Sequence, residues 1–152
     1  MNIQTPHVDA WTKSGRLWLW RYTENSRDRG GWHLTGDDAG CASLVALLDA
    51  FAADGKPATR AFELDRTTER IVCVPNFDTP WAGATRLRIT FSADPSAWSM
   101  PVEDDPAHLV VGATWLPSLH KAVAGIPQGE GDFTIGPKKA GRLWIWWKLD
   151  AV

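Results

Sequence analysis

Cys41 and His33 are the residues of this sequence best suited to covalent chemistry. Cys41 falls in the first turn of a helix predicted to start at Asp37-Asp38, where the helix dipole lowers a thiol pKa and favours the reactive thiolate. His33 lies on the short strand just before that helix and is placed to act as a base. A Cys–His pair of this kind supports nucleophilic catalysis in a hydrolase or transferase. Three features oppose that reading. No third residue can be named to orient the histidine, Asp37 and Asp38 disfavour a thiolate, and Gly40-Cys41-Ala42 also reads as small residues that allow tight helix packing. A buried structural thiol is the preferred reading of Cys41.

A second chemistry resides in the indoles. The chain has ten tryptophans, against one tyrosine and five phenylalanines. Four of the tryptophans belong to a motif written twice, Thr12–Trp20 (TKSGRLWLW) and Lys138–Trp146 (KKAGRLWIW), which agree at six of nine positions. Arg16-x-Trp18-x-Trp20 and Arg142-x-Trp144-x-Trp146 set a guanidinium and two indoles on one face of a strand. Such a face can stack a planar ligand or a partner's aromatic side chain. The competing reading is a core of indoles with arginines reaching out at its edge. Leu17, Leu19, Leu143 and Ile145 make the opposite face apolar too, so the strands need cover on both sides, and the core reading is preferred.

Other constellations are weaker. His7, His33, His108 and His120 show no metal-ligand spacing among themselves or with Cys41 and Cys73, so neither a metal nor another cofactor is expected. Glu103-Asp104-Asp105 and Glu130-Gly131-Asp132 read as solvated turn acids rather than paired catalytic carboxylates. GEGDFTIG (129–136) lacks the Gly-Lys-Ser/Thr of a phosphate loop. Arg21, Arg27 and Arg29 are interleaved with Glu24 and Asp28 and form a mixed surface.

The elements that must position these residues follow from periodicity. Arg16–Tyr22 and Gly31–Gly36 flank a polar, glycine-ended loop and read as a hairpin. Leu44, Leu47, Leu48 and Phe51 form one apolar helical stripe, with Asp37-Asp38 where an N-cap is wanted and with Gly55 and Pro57 closing the helix. Thr59–Asp65 and Arg70–Phe77 are expected to pair as a second hairpin. Thr85–Phe91 alternates Leu87, Ile89 and Phe91 with Arg86, Arg88 and Thr90, as a strand half in water does. A proline- and acid-rich loop leads to the strand His108–Ala113. A second helix is predicted over about 115–124, with Pro117 in its first turn and Gly125 closing it. A short strand follows within 129–136, and the last strand spans Arg142–Leu149.

These elements predict a single α+β domain over residues 1–152: a largely antiparallel sheet of about seven or eight strands with two helices packed on it. The repeated motif predicts that the N- and C-terminal Trp-rich strands are adjacent, joined by cross-strand indole pairs worth roughly 0.2–1 kcal/mol each. The length of 152 residues suits one domain with an ample core. A net charge of −2 argues against general nucleic-acid binding. The absence of a signal-peptide pattern and of a long uncharged apolar run predicts a cytoplasmic protein that does not enter membranes, with reduced cysteines. The functional expectation is a non-enzymatic protein-interaction module of the adaptor or toxin-immunity type, with a protein partner and a homodimer allowed. The alternatives are a small-ligand-binding domain using the Trp-lined face and the Cys41/His33 enzyme.

Overall fold

The fold is that of a computed structural model describing residues 7–23, 31–72, 80–137 and 141–148. Among them are nine strands and three helices of an α+β domain. In chain order these are β1 (Leu17–Tyr22), β2 (Trp32–Gly36), α1 (Asp38–Asp54), β3 (Ala58–Glu63), α2 (Glu69–Val72), β4 (Trp81–Gly83), β5 (Arg86–Phe91), β6 (Trp98–Ser99), β7 (Ala107–Val111), α3 (Leu116–Gly125), β8 (Phe133–Ile135) and β9 (Leu143–Ile145). The strands form two mostly antiparallel sheets rather than one. The first has the order β4-β1-β2-β9-β8 and the second β3-β5-β7-β6.

The first sheet explains the repeated motif and corrects its predicted pairing. The two Trp-rich strands are not neighbours, because β2 runs between them. It is antiparallel to β1, with Trp20 opposite His33, and parallel to β9, with His33 opposite Trp144. Strand alternation then divides the side chains. Leu17, Leu19, Leu34, Leu143 and Ile145 enter the main core, whereas Trp18, Trp20, Tyr22 and Trp146 build a separate aromatic cluster. The expected division of leucines from indoles holds, and the sheet is covered on both faces. The main core lies between this sheet, the inner face of the second sheet and helices α1 and α3, whose side chains meet around a cavity of only about 20 Å³. Ile71 and Val72 of α2 cover the indole face.

Helix α1 forms as its sequence requires. The Asp37 carboxylate accepts from the Gly40 N–H at 2.7 Å, and Gly55 closes the helix in the left-handed conformation. The same carboxylate oxygen accepts from the Arg16 N–H at 2.8 Å, while the Asp37 N–H donates to the Arg16 carbonyl. The helix start is thereby pressed onto the backbone that leads into β1. A Cβ on Gly40 would stand 2.0 Å from the Arg16 carbonyl oxygen, so no larger residue fits there.

Two further expectations are corrected. Arg70–Val72 is helical rather than extended, and β3 pairs with β5 instead of forming a hairpin with that segment. Ile71 and Val72 are strand-forming types, yet both their N–H groups donate to the Thr68 carbonyl, and the turn lays both side chains on the aromatic cluster. The remainder of that predicted strand lies outside the described residues, as do Cys73 and the Arg27–Arg29 part of the first loop. The loop before β7 contains the short strand β6, and the last strand is limited to Leu143–Ile145.

Replacing Gly40 with alanine should lower stability by about 2 kcal/mol, because a clash with backbone outweighs the better helix propensity of alanine. Urea denaturation measures this, and an unchanged midpoint would contradict the close approach of α1 to Arg16.

Candidate functional site

The residues proposed as a nucleophile and its base lie on opposite faces of the first sheet. Strand β2 turns Leu34 toward the main core that contains Cys41, and turns His33 into the aromatic cluster. Cys41 is 1% exposed. Its thiol is pushed up to about 12, first by burial and then by the negative charges of Asp37 and Asp38, with Lys148 pulling the other way. The helix N-terminus favours a thiolate, but desolvation and two adjacent carboxylates win. At neutral pH the sulfur is a protonated, apolar packing group.

His33 is fully buried at the centre of the indoles. Its ring stacks on Trp20 at 5.5 Å between centroids and on Trp144 at 6.0 Å, and the Tyr22 ring meets it edge-on at 4.9 Å. The Trp146 indole N–H donates to His33 Nδ1 at 2.9 Å. Because an indole nitrogen only donates, His33 Nδ1 carries no hydrogen and the ring is held neutral. Trp18, Trp20 and Trp146 are buried, and Trp144 is half-buried. Arg16 is exposed and Arg142 half-exposed, and the Arg60 guanidinium lies over the Trp11 indole. The array is therefore a core, as the apolar opposite face of its strands implies.

Most of the buried indole nitrogens are spent on holding elements together. Trp11, Trp32 and Trp98 donate to the backbone carbonyls of Ser43, Pro101 and Gly141 respectively. Trp20 Nε1 and Thr67 Oγ1 are buried without a hydrogen-bond partner among the described residues. They share one neighbourhood: Gly83 stands opposite Trp20 on β4, and a Cβ there would come within 2.7 Å of the Thr67 hydroxyl.

The outer face of the second sheet has a different character. Phe62, Leu87, Ile89, Phe91, Leu109 and Val111 point into the core. The alternate positions Thr59, Arg86, Arg88 and Ser99 are exposed, and Thr90, His108 and Val110 are partly so. Thr90 Oγ1 lies 2.8 Å from both Thr59 Oγ1 and His108 Nε2, which links three strands across this face. A groove of about 370 Å³ runs over it, with Arg88, His108 and Val110 as floor and Met100, Val102 and Glu103 as rim. The rim is anchored by Asp104, whose carboxylate is paired in a two-bond contact with Arg21 of β1, one of them 2.8 Å long. That hydrogen bond holds the Asp104 carboxyl below the usual carboxylate range. Val102 is 97% exposed and is the one large hydrophobic side chain so displayed among the described residues. Sequence alternation marked Arg86, Arg88 and Thr90 as solvent-facing. The groove itself depends on the fold of the 100–106 loop, for which no local pattern exists.

Among the described residues no group of three or more His, Cys, Asp or Glu side chains is placed to hold a metal ion, and no helix is long and apolar enough to cross a membrane. No protein-family model, curated protein or solved structure matches the chain.

Two measurements check this geometry. Cys41 should resist iodoacetamide in the native protein at pH 8 and react at an ordinary thiol rate only in denaturant, since the thiolate is scarce below pH 12. Rapid native alkylation at Cys41 would restore the nucleophile. Thr67→Val should be neutral or raise stability by up to about 1 kcal/mol, because it removes a buried hydroxyl that has no partner. A loss of that size in urea denaturation would mean that the hydroxyl is held by a bound group.

Proposed function

We propose that this protein is a non-enzymatic protein-interaction module, of the adaptor or toxin-immunity type, that works in the cytoplasm through a protein partner. The observation that carries the reading is the contrast between its two sheets. The first has both faces covered by its own chain, whereas the second covers one face and leaves a mixed polar and apolar surface open to solvent. An open sheet face with a displayed aliphatic side chain and charged residues at its rim resembles the composition of protein interfaces, where apolar anchors are surrounded by polar groups.

Two further features support it. The residue types that suggested catalysis are separated by a sheet, and the sulfur among them is protonated and buried. Of the four indoles that suggested ligand stacking, Trp18, Trp20 and Trp146 are buried and Trp144 is half-buried, and the Trp146 N–H is spent on His33. A protonated, buried thiol also suits the reducing interior of a cell.

Affinity purification of the tagged chain from lysate of its source cells, followed by quantitative mass spectrometry, tests the reading. A protein recovered in constant stoichiometry across replicates is expected. Repeated recovery of none, with the bait folded by circular dichroism, would overturn it.

A further inference from the structure

The outer groove of the second sheet has an asymmetry of charge that specifies what it accepts. Arg86 and Arg88 project from the same face of β5, but their surroundings differ. Arg86 stands opposite Glu63 on β3 and shares a surface depression with Glu63 and Asp105. Arg88 stands between Ala61 on β3 and His108 on β7, neither of which is an acid. It is exposed, and no hydrogen bond or ion pair to it is present among the described residues. The groove that it lines continues over Val110 to Met100 and the exposed Val102, with Glu103 as the one carboxylate among its described lining residues.

From this geometry we infer that the groove binds a short segment of a protein partner in which an Asp or Glu lies beside an aliphatic or aromatic side chain. The inference rests on the interaction-module reading and adds to it a site and a partner chemistry. The segment's carboxylate meets the Arg88 guanidinium, whose planar fork suits a bidentate contact. The neighbouring apolar side chain rests on Val110, Met100 and Val102, removing from water the most exposed hydrophobic residue described. Glu103 on the rim repels a carboxylate placed there, so the acid is confined to the Arg88 end and the segment has one orientation. A protein segment fits better than a compact metabolite because the groove is an open trough across a sheet, not an enclosed pocket.

Selection of random linear peptides displayed on phage against the wild-type protein tests the inference. Enriched peptides, made synthetically, are then titrated by fluorescence anisotropy against wild type, Arg88→Glu, Val102→Asp and the distant helix-surface control Lys121→Glu. Circular dichroism checks that each variant is folded. Enriched peptides should share an acid next to Leu, Ile, Val or Phe. Arg88→Glu and Val102→Asp should each weaken binding at least tenfold, with the control unchanged. Exchanging the peptide's acid for Lys should recover part of the affinity toward Arg88→Glu. No enrichment, enrichment without an acid, or affinity unchanged in folded Arg88→Glu each overturns the inference. The broader reading fails separately. A cellular partner captured equally by wild type and Arg88→Glu removes the groove but not the module, whereas the absence of any stoichiometric partner removes the module.

Discussion

Burying both faces of a sheet leaves its central strand no solvent-facing side on which to put a polar residue, and β2 lives under that constraint. Its five residues Trp32–Gly36 are all buried. Trp32 and Leu34 fill one core, while His33 and Thr35 face the other, and both of these β2 side chains are hydrogen-bonded. The Thr35 hydroxyl donates to the Trp146 carbonyl at 2.9 Å, and His33 accepts from the Trp146 indole. Leaving either unpaired at such depth would cost about 1–3 kcal/mol. The segment around Trp146 is thus bonded to β2 through backbone, hydroxyl and imidazole together, which ties the C-terminal part of the chain to the N-terminal hairpin.

The same constraint accounts for a motif written at both ends. Each copy places glycine before Arg-Leu-Trp, and both glycines have positive φ, 71° at Gly15 and 87° at Gly141. Each copy then enters the first sheet with leucine toward the main core and tryptophan toward the aromatic cluster. Two strands flanking the same central strand face the same two cores, so they need the same alternation and the same kind of entry turn. Direct pairing of β1 with β9 would satisfy that alternation equally well, which is why sequence periodicity does not separate the two arrangements. The imidazole decides between them. Stacked 5.5 Å from Trp20 and 6.0 Å from Trp144, it fills a gap that exists only if a strand lies between.

What sequence could and could not reveal follows the range of the interactions involved. Helix α1 was legible because its cap, stripe and terminator are local, and β5 because its alternation is a record of one wet and one dry face. At residues 70–72 local chemistry and structure part, because Ile71-Val72 has strand-forming side chains while their packing on the distant Trp cluster goes with a helical turn. The division into two sheets was hidden for a similar reason. It takes place at Ala84-Thr85, where the Ala84 N–H still donates to Leu19 of the first sheet while the Thr85 carbonyl already accepts from Leu64, beside the second. No residue type advertises that exchange. Cys41 and His33 are close in sequence, but strand alternation alone sends His33 away from the helix that follows, and the positions of the leucines already implied it.

The unusual tryptophan content therefore serves closure more than recognition. An indole buries a large area and still offers a directed N–H, so it can fill a core and bond a distant backbone carbonyl at once. Trp32 reaches the 101 carbonyl and Trp98 the 141 carbonyl, each linking one sheet to a segment that belongs with the other. With the first sheet enclosed and the two sheets tied in this way, the open side of the second is backed by a closed scaffold. Its floor is three paired strands, and its rim is fixed by the Arg21–Asp104 ion pair and by the Trp32 bond to Pro101. A partner docking there would meet a surface already arranged, so little ordering entropy is lost on association. Preorganisation of one face by complete closure of the other is the physical link between this protein's composition and the interaction role proposed for it.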